Sequence, residues 1–286
     1  MLTIALSLSG CGRKKETQEP QQPPTPSETD STTVIVPSEP LHPDVLDQNP
    51  TYREEFDDAV VNPQETERYL ILVNKEVELA GDYVPANLVD IPSEYRVDKP
   101  LRMVEGALAA LQLMMSEMRA DGITDALVTS AYRSYEYQAQ IYNDYLIKEL
   151  EGISPEAYAC LGHYYITVNY IQKGLDSLTM QDARRVVDSY SARPGNSEHQ
   201  SGLCVDFIEI SKSGLDVSFE HSQSFEWLSQ NAYRFGFILR YPQGKEDITG
   251  YTYEPWHYRF VGREAATEIY AWGYTLEEYL TLKAAQ

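Results

Sequence analysis

The segment LCVDFIEI (Leu203 to Ile210) has the apolar run of a strand buried on both faces, yet it carries a carboxylate, Asp206, at its centre. An isolated charge in such a place costs so much free energy that it is neutralised, paired or bound to a cation. Any fold open to this chain must therefore bring relief to Asp206 from elsewhere in the sequence.

The rest of the chain is able to build a core around that strand. It has 286 residues, 42% hydrophobic and 23% charged, which are ordinary globular proportions. The formal net charge of −21 argues against nucleic acid as a partner, because phosphates are held by clustered Lys and Arg. It says nothing against a small or peptide-like substrate. The three cysteines, Cys11, Cys160 and Cys204, lack C-x-x-C spacing, so no thiolate zinc site is expected. Cys160 and Cys204 are expected to be buried free thiols.

The first residues form an apolar run too short to span a bilayer and suited to the h-region of a signal peptide. Leu8-Ser9-Gly10-Cys11 resembles the lipobox of bacterial lipoproteins, which implies a signal peptide over residues 1–10 and lipidation of Cys11. The basic n-region of such a signal is missing. Residues 11–50, rich in Pro, Glu, Gln, Ser and Thr, read as a disordered tether. The folded domain is expected over 66–286, held outside the cytoplasm by a lipid anchor in the cell membrane.

Within that domain YLILVNK (Tyr69 to Lys75) reads as a strand. Pro100 to Ala120 reads as a helix with Pro100 in its first turn, its Met residues packing in the core. DALVTSAYR (Asp125 to Arg133) reads as a strand, SYEYQAQIYNDYLIKEL as a helix, and a further helical region runs from Ser154 to about Tyr190. His163 within it is expected to pack. A short helix ends at Gly236, Phe237 to Gly262 has hairpin character, and Gly262 to Leu280 reads as helical around Gly273. Helices dominate early and strands cluster late. That order predicts α+β, an antiparallel sheet flanked by helices, rather than βαβ units.

Relief for Asp206 is at hand in two histidines. His199 stands seven residues before it, and His257 closes Glu254-Pro255-Trp256-His257. Two imidazoles and a carboxylate make three donors with a fourth position open, the pattern of catalytic zinc. Pro255 cannot donate to a strand ladder, so the backbone should break there and let Glu254 and His257 aim at one site. A carboxylate beside metal-activated water is the usual general base.

SAYRS (Ser130 to Ser134), Gln138, SEHQSGLCVDF (Ser197 to Phe207) and GYTYEPWHYRFVG (Gly250 to Gly262) closely resemble the motifs of the VanY-type D-alanyl-D-alanine carboxypeptidases, members of the zinc-dependent LAS peptidases. The similarity runs roughly from Tyr69 to Gly262. It implies an LAS-type fold, zinc ligated by His199, Asp206 and His257, Glu254 as catalytic base, and Arg133 steadying the oxyanion. Gln138 and Ser197 would contact the terminal residue of the substrate, and Arg240, Tyr241 and Lys245 would support the site. The activity implied is removal of the terminal D-alanine from peptidoglycan stem peptides. The alternatives are an L,D-carboxypeptidase trimming tetrapeptide stems and a peptidoglycan-binding lipoprotein without catalysis. Cys204 departs from the family, which commonly has alanine there; it is expected to pack as a small apolar residue, with competition for the metal as a reservation.

Overall fold

The computed structural model describes residues 37, 39–47, 50–53, 55–63, 66–153, 178–212 and 214–285. Cys11, Cys160, His163 and the proposed signal segment lie outside them. Leu88–Asp90 (β1) and Arg102–Val104 (β2) pair antiparallel, and Glu105–Ala120 (α1) follows β2 directly. The helix expected from Pro100 therefore starts five residues later. Its first stretch is drawn into the β1 ladder, where Met103 pairs with Val89 and is fully buried.

Ala126–Ser130 (β3) leads into Tyr135–Ile153 (α2), and Leu178–Tyr190 (α3) packs back on α2 around Tyr142, Leu146, Met180, Ala183 and Val187. Cys204–Glu209 (β4) is the strand that carries Asp206. Gln223–Asn231 (α4), Phe237–Leu239 (β5), the single turn Glu246–Thr249 (α5), His257–Phe260 (β6), Arg263–Trp272 (α6) and Leu276–Ala284 (α7) complete the chain. The four later strands form one antiparallel sheet in the order β3-β4-β6-β5. Mixed helices and an antiparallel sheet are the α+β arrangement expected.

β4 is interior to this sheet, and all but its last residue are buried, which explains its apolar sequence. Successive side chains of a strand leave on opposite faces. Val205 and Phe207 of β4, with Tyr258 and Phe260 of β6, join one core with Leu111, Met114, Met115 and Met118 of α1. Each such burial contributes roughly 1.5–3 kcal/mol. Cys204 and Asp206, with His257 and Arg259, share the other face, since Cys204 is opposite Arg259 and Asp206 opposite His257.

Tyr69 to Lys75 forms no strand; Thr66–Tyr69 is a 3-10 turn, and the chain then runs without a ladder into a bend at Asn74. Its carbonyls find another donor, for Arg259 Nη2 bonds the carbonyl oxygens of Tyr69 at 2.9 Å and Ile71 at 2.8 Å. Residues before 66 also join the packed unit. His42 stacks on Tyr270 at 4.5 Å, Val61 is fully buried, and the Tyr52 hydroxyl donates to the Arg234 carbonyl at 2.6 Å. The apolar residues responsible are scattered through polar sequence, so average composition conceals them.

A buried ionic cluster ties the later elements together. Glu198 Oε1 accepts from Arg240 Nε at 2.6 Å and from Arg259 Nη1 at 2.7 Å, and Arg240 also grips Glu277 of α7 at 2.6 and 2.9 Å. Burial alone would raise the Glu198 carboxyl, but Arg240 and Arg259 outweigh it and hold the group ionised, well below the usual carboxylate range. Removing one member of a buried pair strands charge in a dry site.

Two outcomes follow for stability. Glu198→Ala should lower the unfolding free energy by about 3–5 kcal/mol in a denaturant titration. Gly236 has φ +82, and a Cβ there would lie 2.7 Å from the Phe260 ring and 3.0 Å from backbone atoms of Val61 and Gly262. Gly236→Ala should therefore cost roughly 3 kcal/mol or more, whereas Gly122→Ala, at φ +91 but in open space, should cost about 1 kcal/mol.

Candidate active site and metal centre

His199 sits in a one-turn 3-10 helix, Glu198–Ser201, that ends on Gly202 at φ +68 and feeds straight into β4. Asp206 and His257 are direct partners across β4 and β6, a position that brings side chains into contact. His199 Nε2 lies 3.1 Å from Asp206 Oδ2, and His257 Nδ1 lies 3.0 Å from Asp206 Oδ1. All three residues are 2–3% exposed. Among the described residues neither His199 Nε2 nor Asp206 Oδ1 has a hydrogen-bond partner.

The outer nitrogens of the two rings are occupied. His199 Nδ1 is 2.6 Å from the Ala131 carbonyl oxygen, which assigns the proton to Nδ1 and the lone pair to Nε2. His257 Nε2 is 3.4 Å from Glu198 Oε2, which assigns its proton to Nε2 and leaves Nδ1 facing Asp206. Imidazoles fixed this way, with lone pairs turned to one carboxylate, fit a divalent zinc ion. Burial would raise the Asp206 carboxyl, but the His199 and His257 rings in their protonated form outweigh it and hold the carboxyl well below the ordinary range.

Glu254 comes from the loop before β6, where its backbone N–H bonds the Tyr241 carbonyl and its carbonyl accepts from the His257 N–H at 3.2 Å. The ladder indeed stops at this point, with β6 beginning at His257. Glu254 Oε2 lies 3.6 Å from His257 Nδ1, and its side chain is 14% exposed. Burial pushes this carboxyl up to about 7, against the pull of His257 and helped by Asp206.

The site opens into a cleft of about 460 Å³ lined by Arg133, Gln138, Ser197, Glu254 and Trp256 among others. The Arg133 backbone N–H bonds the His199 carbonyl at 3.1 Å, which couples the loop after β3 to the 3-10 turn. Arg133 Nε is buried and unpartnered among the described residues. Gln138 gives its amide N–H to the Ala192 carbonyl at 2.7 Å and leaves Oε1 without a partner among the described residues. Ser197 is buried on the cleft wall. Tyr241 packs its ring 4.8 Å from that of His257. Lys245 is remote from these contacts and holds Glu278 of α7 at 2.9 Å.

Two residues stand out beyond the expected set. Glu198 was given no part by sequence reasoning, although it adjoins His199 and touches His257. Its only sequence signal is an acidic residue in a segment bound for the interior. Cys204 is fully buried, and its Sγ and one ring nitrogen each of His199 and His257 lie within 4.8 Å of one another. It therefore borders the chemistry instead of merely filling space.

The model of the family described as VanY: D-alanyl-D-alanine carboxypeptidase matches residues 100–263. A D-alanyl-D-alanine carboxypeptidase of Enterococcus faecalis (strain ATCC 700802 / V583) is 36% identical over 216 residues, covering 76% of this chain and 67% of that protein. The solved structure of the LD-carboxypeptidase LdcB shares 34% identity with a TM-score of 0.59, over 76% of this chain and 88% of LdcB. A mutant of the vancomycin-resistance D,D-pentapeptidase VanY from the VanB-type cassette, solved in complex with Zn(II), shares 34% identity with a TM-score of 0.55, over 74% of this chain and 99% of that one. With the motifs, the sheet and the clustered histidines in agreement, this chain belongs to the VanY family of D-alanyl-D-alanine carboxypeptidases.

Proposed function

We propose that the chain is a zinc metallocarboxypeptidase that hydrolyses the terminal D-alanine from peptidoglycan stem peptides. The observation that carries this reading is the meeting of His199 Nε2, Asp206 and His257 Nδ1 in one buried place, each ring turned by a partner on its outer nitrogen. Those three residues would hold the ion, which supplies Lewis acidity for a carbonyl and lowers the pKa of water.

The chain's own groups do the remainder. Glu254 is beside His257, where a carboxylate can both accept and return a proton as general base and acid. It takes one proton as the oxygen of water bonds to the scissile carbonyl carbon. It returns that proton to the amine nitrogen as the carbon–nitrogen bond breaks. The Arg133 guanidinium stabilises the negative charge that gathers on the carbonyl oxygen. Gln138 Oε1 and the Ser197 hydroxyl, both on the cleft wall, hold the terminal residue of the peptide.

The likeness to LdcB supports a second reading with the same catalytic set, removal of the last residue from tetrapeptide stems. A peptidoglycan substrate places the enzyme outside the cytoplasm, and the lipobox-like Cys11 offers a lipid anchor there; both are part of the proposal.

Pentapeptide stems should release D-alanine at least about tenfold faster than tetrapeptide stems, by mass spectrometry of digested muropeptides. Faster tetrapeptide cleavage would establish the L,D reading. Glu254→Ala should keep stoichiometric zinc by metal analysis while turnover falls about 10²–10⁴-fold. Full turnover in that variant would remove Glu254 from the mechanism. A wild-type protein that binds muropeptides and releases no alanine would be a binding module.

A further inference from the structure

The pairing of β4 with β6 puts a fourth donor on the metal-facing side of the sheet. Cys204 stands two residues from Asp206, so both side chains leave β4 on the same face. It is opposite Arg259, the next residue of β6 on the face of His257. The donor atoms of His199, Cys204 and His257 lie within 4.8 Å of one another, and all three residues are 97–100% buried. His199 Nε2, which faces Asp206 at 3.1 Å, has no hydrogen-bond partner among the described residues.

We propose that the Cys204 thiolate is a ligand of the metal in the resting enzyme, closing a site of His199, Cys204, Asp206 and His257. This rests on the zinc reading above. Four protein ligands make a closed site, whereas catalysis needs one position free. The thiolate is accordingly the donor that leaves when a substrate or water oxygen takes its place, because each ring is fixed by a partner on its outer nitrogen. A sulfur donor also biases the site toward thiophilic divalent ions over hard ones.

Cobalt(II) loading of the full chain tests this directly. The wild-type complex should show the visible bands of low-symmetry cobalt together with a near-ultraviolet sulfur-to-cobalt charge-transfer band. Cys204→Ala should keep the visible bands and lose the charge-transfer band, and excess D-alanyl-D-alanine should diminish it in the wild type. The zinc form, read by X-ray absorption, should show one sulfur neighbour at about 2.3 Å. This measurement needs no variant and stands if Cys204→Ala fails to fold. Visible bands without charge transfer, or zinc with only nitrogen and oxygen neighbours, would overturn the thiolate ligand and leave the three-ligand zinc site intact. Failure to bind either metal would overturn both readings together. A charge-transfer band that persists unchanged at saturating D-alanyl-D-alanine would overturn the departure of the thiolate.

Discussion

The Glu198 carboxylate is the contact on which most of the architecture converges. It is fully buried, clasped by Arg240 at the end of β5 and Arg259 in β6, and within 3.4 Å of His257 Nε2. Arg240 passes the link to Glu277 of α7, and Arg259 passes it to the carbonyls of Tyr69 and Ile71. A cluster of this kind gains little net stability, because desolvating its charges offsets their attraction. Its value lies in geometry. Opposite charges in a dry interior tolerate few arrangements, so the cluster holds the 3-10 turn, two strands and the C-terminal helix in one relation. His257 inherits its ring orientation from that relation.

A second constraint separates core from chemistry at the scale of single residues. The two-residue period of β4 and β6 sends Val205, Phe207, Tyr258 and Phe260 toward the methionines of α1. The residues between them, Cys204, Asp206, His257 and Arg259, go to the opposite face. Packing on one side thus sets the register that aligns donors on the other. A slip by one residue would bury the polar side chains against α1 and turn the apolar ones into the cleft.

Much of this was readable beforehand, though unevenly. Asp206 in an apolar strand announced a need for compensation, and the motif spacing nominated His199, His257 and Glu254, which the fold brings within 3–4 Å of one another in successive contacts. The strands β3 and β4 and the β5–β6 pairing followed from apolar runs and turn residues. Local signals misled where a distant partner intervened. Tyr69 to Lys75 resembles a strand, but the Tyr69 and Ile71 carbonyls go to Arg259, and the residues after Pro100 join β1 before the helix begins. Residues 11–50 read as a tether, with the domain expected from 66, because the few apolar side chains before it are spread thinly, yet His42 docks on α6 and Tyr52, Phe56 and Val61 on the core.

By itself the sequence determined the donor types, the period that places residues on a face, and the break at Pro255, all properties of neighbouring residues. Only the tertiary structure decided that Glu198 would join His257 to two buried arginines and that the Cys204 sulfur would come within 4.8 Å of a ring nitrogen of His199. Those outcomes depend on which strands pair and in what register. Pairing is selected by the packing of the whole core, which brings residues 61 apart, such as Glu198 and Arg259, into one dry contact.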